Sequence, residues 1–236
     1  MTELLYQTDS YLKEFDAQVN GVLPEQRGVT LDRTAFYPGG GGQPCDEGTL
    51  TVGDRAYRVV KVERGNVHIL DGDELPEVGA SAHGILDWDR RYKLMRTHTA
   101  MHILCGAVWR DYSASVTGGN MDPLKGRMDF EFERLQKELV GEIEAKINAE
   151  VDAAHDLRVR ILPREEAFQI PDLIRTKINL LPEGISEVRT VEIVGLDLQA
   201  DGGTHVANTR EVGRIRIADY KSKGGINKRI YVELDE

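Results

Sequence analysis

The hydrophobic rhythm of this 236-residue chain changes once, around Asp87-Trp88-Asp89-Arg90-Arg91, and that change constrains the fold more than composition does. Before it, short β-branched or aromatic runs alternate with Gly, Pro and Asp: Gly28-Val29-Thr30-Leu31, Gly48-Thr49-Leu50-Thr51-Val52-Gly53, Tyr57-Arg58-Val59-Val60-Lys61-Val62 and Asn66-Val67-His68-Ile69-Leu70. Runs this short, closed by turn formers, predict a small all-β domain over residues 1–89. After the change the period lengthens. Leu94, Met101, Leu104 and Val108 share one stripe of a helix beginning near Arg90, and Leu135, Leu139, Ile143, Ile147 and Val151 recur every four positions in a second helix over about 132–153. Shorter helices at 165–168 and 172–175, with strands at 188–194, 213–217 and 229–234, complete a second domain over residues 90–236. The expected class is α+β, with long helices covering an antiparallel sheet in the second domain.

No run approaches the roughly 18 apolar residues of a membrane span, and the first residues, Met1-Thr2-Glu3-Leu4-Leu5-Tyr6, carry no basic segment followed by an apolar one. Only Cys45 and Cys105 occur, which fits a reducing compartment. The expectation is a cytoplasmic protein with no membrane partner, and no pattern fixes an oligomeric state. Charge is uneven. Residues 1–89 hold 7 Lys and Arg against 16 Asp and Glu, while residues 90–236 hold 23 against 24. Between positions 210 and 229, Arg210, Arg214, Arg216, Lys221, Lys223, Lys228 and Arg229 face only Glu211 and Asp219. That run is open to two readings, a phosphate-binding surface or a solvated strand edge kept from aggregating by its cations.

His98 and His102 lie four apart in Arg96-Thr97-His98-Thr99-Ala100-Met101-His102, and a third histidine closes Asp201-Gly202-Gly203-Thr204-His205. Residues four apart on a helix share a face, so two imidazoles can converge on one ion. Taken alone the pair is equally consistent with hydrogen-bonded groove histidines. The third histidine favours a metal, because a Gly-Gly turn can bring Thr204 and His205 back to the helix and offer backbone N–H groups to a carbonyl or oxyanion. With so few thiols, a closed structural zinc finger is excluded, and the donor set fits an ion with an open position. Cys105, about 10.5 Å along the helix axis from His98, is too far to share its ion and reads as packing. His68, His83 and His155 lack ligand spacing and read as surface or strand histidines.

A second motif is Thr34-Ala35-Phe36-Tyr37-Pro38-Gly39-Gly40-Gly41-Gly42-Gln43-Pro44. Consecutive glycines cost backbone entropy and are kept where φ must be positive or something approaches the backbone closely. No Gly-Lys-Ser/Thr follows, so this is no phosphate-binding P-loop, though a plain hairpin loop remains open. Gln43 is a candidate to contact a substrate, and Thr34 a candidate to offer its hydroxyl to a small polar side chain.

These motifs, with Lys221-Ser222-Lys223-Gly224, resemble in order the editing domain of alanyl-tRNA synthetase and its free-standing relatives of the AlaX type. The resemblance spans nearly the whole chain and implies a β-barrel-like first domain ahead of a zinc-binding editing domain. It implies hydrolysis, in trans, of the ester joining a wrong amino acid, serine and in some cases glycine, to the tRNA for alanine. Carried over by position, His98, His102 and His205 match Zn2+ ligands, and Gln43 matches the glutamine of the glycine-rich motif. Thr34 falls where the serine hydroxyl is recognised. Gln43, Thr34 and Thr204 are then the candidate catalytic residues. Gly40, Gly41, Gly42, Lys221, Lys223, Lys228 and Arg229 are the candidate contacts to mischarged tRNA(Ala). One position departs: the synthetase pattern is Cys-Gly-Gly-Thr-His, and here Asp201 replaces the cysteine, either as a fourth ligand or leaving that position to water. The chain lacks the Glu of His-Glu-x-x-His, which argues against a standard zinc protease. Two rivals stand beside this reading, a zinc hydrolase of small esters or amides and a non-catalytic tRNA-binding module.

Overall fold

The computed structural model describes residues 2–132, 136–175 and 184–236. The chain divides into two compact units, Met1–Lys93 and Leu94–Glu236.

In the first unit the strands are β1 (Glu3–Leu4), β2 (Glu14–Leu23), β3 (Gly28–Leu31), β4 (Arg33–Thr34), β5 (Gly48–Val52), β6 (Arg55–Glu63), β7 (Val67–Leu70) and β8 (Ser81–Leu86). Six of them close into a barrel in the order β2-β3-β7-β6-β5-β8, while β1 and β4 pair in parallel beside it. Closure removes the exposed edges that an open sheet of this size would present. Alternation along β2 sends Phe15, Ala17 and Val19 inward, where they meet Val29, Leu31, Leu50, Val59 and Leu70. The barrel-like expectation is met, and the strand runs read from sequence overlie β3, β5, β6 and β7, with Gly53 and Asn66 falling in the turns that flank β5 and β7.

A fully buried ion pair organises the loop after β4. Arg91 donates through Nε to both oxygens of Asp46 at 2.9 and 3.0 Å, through Nη2 to Asp46 Oδ2 and to the Ala35 carbonyl, and through Nη1 to the Ser10 carbonyl. Asp46 also accepts the Tyr37 N–H at 2.6 Å, so one carboxylate anchors both a helix residue and the glycine-rich segment.

Helix α1 (Trp88–Tyr112) begins in the first unit and supplies the centre of the second. Leu94, Met101, Leu104 and Val108 are buried as expected, but so are Met95, Thr97, His98, Ala100, Ile103 and Cys105, so the helix is enclosed on nearly every side. Around it are β9 (Val116–Asp122), β10 (Lys125–Glu131), α2 (Lys137–Asp152), β11 (Leu157–Pro163), α3 (Arg164–Ala167), β12 (Glu187–Ile193), β13 (Asp197–Ala200), β14 (Ile215–Ser222) and β15 (Asn227–Leu234). They form two antiparallel sheets, β14-β15-β10-β9 and β11-β12-β13. Thr97 of α1 accepts the Leu124 N–H between β9 and β10 at 2.9 Å. Helix α2 buries Val140, Ile143, Ile147 and Val151, and its Asn148 and Glu144 bind backbone groups of the edge strand β14 at Ile215 and Ile217. The α+β class with helices on antiparallel sheets therefore holds.

Two local expectations are corrected. Residues 172–175 are not helical, since Asp172 adopts φ 55°, and among residues 164–175 only the single turn of α3 forms. The last part of the chain folds its strand at Ile215–Ser222 rather than from 213, because Gly213 takes φ 72° after a short 3-10 turn. Leu135, read as part of the second helix, lies outside the described residues. Among the described residues no helix is long and apolar enough to cross a membrane.

Candidate metal centre

His98 and His102, four residues apart, and His205, more than a hundred residues further on, gather into one cluster in the second unit. Ring centroids are separated by 5.1 Å for His98 and His102, 4.3 Å for His98 and His205, and 4.7 Å for His102 and His205. Helix α1 supplies the first two from adjacent turns, and the loop after β13 supplies the third. Asp201 joins them: its Oδ1 lies 3.6 Å from His98 Nε2 and its Oδ2 3.0 Å from His205 Nε2. The Gly203 N–H and the Arg189 guanidinium fix Asp201 in place, Gly203 donating to Oδ2 at 2.8 Å and Arg189 Nη1 to the Asp201 carbonyl at 2.9 Å. All three imidazoles are buried.

The donor set fits a divalent ion. One ligand atom from each of His98, His102, Asp201 and His205 lies within 4.8 Å of the others. Tetrahedral bonds of about 2.0–2.2 Å place ligand atoms about 3.3–3.5 Å apart, so the four need to close by only about 1 Å. Burial pushes His98 well below the usual histidine range, with Asp201 opposing and the neighbouring imidazoles adding to the effect. Burial also pushes His205 down to about 4, against the hydrogen bond that Asp201 accepts from it. Burial would raise Asp201, but His98 and His205 outweigh it and hold the carboxyl well below its usual range. His102 goes the other way: burial lowers it, and the carboxylates of Asp197 and Asp201 more than offset that. Neutral His98 and His205 beside an ionised Asp201 are the protonation states a metal requires.

Sequence reasoning missed three supporting residues. Thr99 Oγ1 meets His205 Nδ1 at 3.2 Å and accepts the Val206 N–H, Arg189 backs Asp201, and Asp197 Oδ2 lies 3.5 Å from His102 Nδ1. The regular spacing Asp197, Asp201, His205 was a readable signal for the last. Cys105 is buried, contacts Gln199 at 3.3 Å, and its thiol is pushed up by burial, in keeping with a packing role. Thr204 is fully buried beside His205.

In the first unit, Gly40 and Gln43 exchange backbone hydrogen bonds at 3.0 and 2.9 Å across a two-residue turn. Gly41 and Gly42 occupy that turn at φ 58° and 92°, the left-handed pair a primed hairpin turn demands. Gln43 is buried. Thr34 is also buried; its Oγ1 lies 2.8 Å from His68 Nε2 and accepts the Phe36 N–H at 3.1 Å. His68 Nδ1 faces the Val29 carbonyl at 3.3 Å, which puts the ring proton on Nδ1 and makes Nε2 the acceptor of the Thr34 hydroxyl. His68 is thus a core residue of β7 and not a surface histidine, and burial pushes it down to about 4.

The four expected phosphate-facing cations divide into two kinds. Lys221 and Lys223 are exposed at the end of the β14–β15 hairpin, Lys221 beside Asp219 at 3.0 Å and over the Tyr231 ring. Lys228 is buried with its ammonium on the carbonyls of Gly224 and Gly225, and Arg229 binds Asp129 through two bonds of 2.6 and 2.7 Å. Residue type alone could not separate the exposed cations from those that close the hairpin.

Comparison with known proteins agrees with this arrangement. Residues 188–231 match the family described as the threonyl and alanyl tRNA synthetase second additional domain, and residues 7–90 match the family of class II (A) tRNA synthetases. The chain is 41% identical to the alanyl-tRNA editing protein AlaX-M of Saccharolobus solfataricus, over 98% of each protein. The chain belongs to the AlaX-M family of alanyl-tRNA editing proteins. A second AlaX-M protein, from Methanosarcina acetivorans, is 38% identical over 99% of each chain. The relationship extends to longer proteins, since 92% of this chain matches 24% of the alanine–tRNA ligase of Ignicoccus hospitalis at 41% identity.

Proposed function

We propose that this protein is a cytoplasmic hydrolase that acts in trans on mischarged tRNA(Ala), cleaving the ester that joins serine to the tRNA, with glycine as the alternative acyl group that the test below decides. The observation that carries the reading is the gathering of His98, His102, Asp201 and His205 into one buried donor set in a chain of the AlaX-M family. Zn2+ held there would supply Lewis acidity toward the ester carbonyl or toward water.

The protein's own groups supply selectivity. A synthetase pocket made for alanine cannot strongly reject serine, which merely adds a hydroxyl, so accuracy needs a second site that prefers serine. In this reading Thr34 recognises that hydroxyl: its own proton is committed to His68, which leaves the oxygen an acceptor. Gln43 holds the substrate beside the turn of Gly40, Gly41 and Gly42, and Thr204 lines the approach to His205. Lys221 and Lys223 meet the tRNA backbone, while Lys228 and Arg229 shape the hairpin that presents them.

The test is turnover of Ser-tRNA(Ala), Gly-tRNA(Ala) and Ala-tRNA(Ala) by the zinc-loaded protein. Rapid loss of the serine ester with the alanine ester spared is expected. Equal turnover of serine and alanine esters, or cleavage of a free serine ester as fast as the charged tRNA, would point to a general esterase, and tRNA binding with no turnover to a non-catalytic module.

A further inference from the structure

Behind His102 lies a carboxylate that no ligand role accounts for. Asp197, the first residue of β13, is fully buried, and its Oδ2 stands 3.5 Å from His102 Nδ1. That separation is too long for a formed hydrogen bond, and Nδ1 has no other hydrogen-bond partner among the described residues. Two neighbours fix the carboxylate: Gln199 Nε2 donates to Oδ2 at 2.5 Å, and Arg175 Nε donates to Oδ1 at 3.3 Å. The helix makes room for it. One turn beyond His102, α1 carries Gly106, and a methyl group there would lie 2.8 Å from Asp197 Cβ and 3.0 Å from Leu196 Cγ. A side chain at position 106 would therefore drive Asp197 away from the imidazole.

An imidazole that binds a metal through Nε2 carries its proton on Nδ1, and that N–H needs an acceptor, commonly a carboxylate, which fixes both tautomer and ring orientation. We propose that Asp197 is a positioning residue of the metal centre, accepting the Nδ1–H of His102 so that Nε2 faces the ion, with Gly106 admitting it to the helix and Gln199 and Arg175 holding it there. The proposal rests on the cluster being a metal site. A carboxylate serving only as a structural partner of Arg175 and Gln199 would have no need of a gap in the helix one turn from a ligand.

The experiment is competition for Zn2+ between a chromogenic chelator and the full-length protein, comparing wild type with Asp197→Asn and Gly106→Ala. Thermal unfolding of the metal-free proteins is recorded alongside. Asp197→Asn is expected to weaken zinc binding by about 10–100-fold, the usual cost of losing such a partner, with Gly106→Ala weakening it in the same direction. Zinc affinity unchanged in Asp197→Asn overturns the proposal and leaves the metal reading standing. A wild type that binds no zinc overturns both. Should the variants fail to fold, 15N-histidine NMR of the zinc-loaded wild type decides. A protonated Nδ1 and a ligated Nε2 on His102 uphold the proposal, and ligation through Nδ1 ends it.

Discussion

Each unit buries carboxylate beside basic side chains, but the two do so to opposite effect. In the first, Asp46 is met by a guanidinium and a backbone N–H, and Arg91 spends its remaining donors on the Ala35 and Ser10 carbonyls. Donors and acceptors balance there. In the second, Asp201 and Asp197 face three imidazoles whose nitrogens crowd toward one another, with His98 and His205 driven toward the neutral form. Ring nitrogens and a carboxylate converge there within reach of one another, the donor set that suits a divalent ion. A closed ion pair stabilises the fold; a convergent donor set suits a ligand.

The contrast should appear first in stability. Removing one member of a buried pair strands the other charge, so Asp46→Ala is expected to cost about 3–5 kcal/mol in urea unfolding, while metal-free Asp201→Ala costs much less. Equal losses would erase the distinction.

The His68–Thr34 pair belongs with the closed kind, and pH probes it. His68 is held down to about 4 in the fold against about 6.5 when unfolded, so between these values the unfolded chain binds a proton that the native state refuses. Its contribution is complete above about pH 6.5 and is lost as the pH falls toward 4, for a total of about 3 kcal/mol. Unfolding midpoints measured across that range should fall, and the fall should lessen in His68→Gln. An unchanged slope in that variant would show that His68 is not the group responsible.

Metal addition probes the open kind. At zinc concentrations of about 100 times Kd, the folded protein should gain about 2.7 kcal/mol, and His205→Ala should abolish the gain. Calorimetric scans with and without the ion read this directly. The smallest expected effects concern RNA: Lys221→Ala and Lys223→Ala should each reduce the salt dependence of tRNA binding by about one unit of slope. Lys228→Met, which loses only contacts to Gly224 and Gly225, should leave that slope alone unless the hairpin itself collapses.

How much was legible in the sequence follows the same division between local pattern and long-range pairing. Helix α2 and strands β5 to β7 declared themselves through period and turn residues, which act locally. Strand β2, the longest in the barrel, did not, because Ala17 weakens its alternation and Glu14, Asp16 and Asn20 read as loop. Strands β9 and β10 were silent for a similar reason: Gly118-Gly119-Asn120 is poor strand chemistry, and the pairing is set by packing on α1, where Met101 fills the space beside Gly126. Among the site residues, the histidines were visible by type and spacing. Arg189 and Thr99 were not, since each meets the cluster through a neighbour brought near by the fold, while Asp197 left only its spacing from Asp201 and His205 as a signal. The cations of the last hairpin show the limit most plainly, because Lys223 and Lys228 are identical in chemistry and differ only in where the chain turns.

The central claim is that three imidazoles and Asp201 hold one divalent ion on which ester cleavage depends. Elemental analysis and Ser-tRNA(Ala) hydrolysis, measured on the same preparations of wild type and His102→Ala, test it most directly. One zinc per wild-type chain, with both metal and activity lost in the variant, is the predicted result. A wild type that clears serine at full rate without metal, or a variant that keeps its activity after losing the ion, would contradict it.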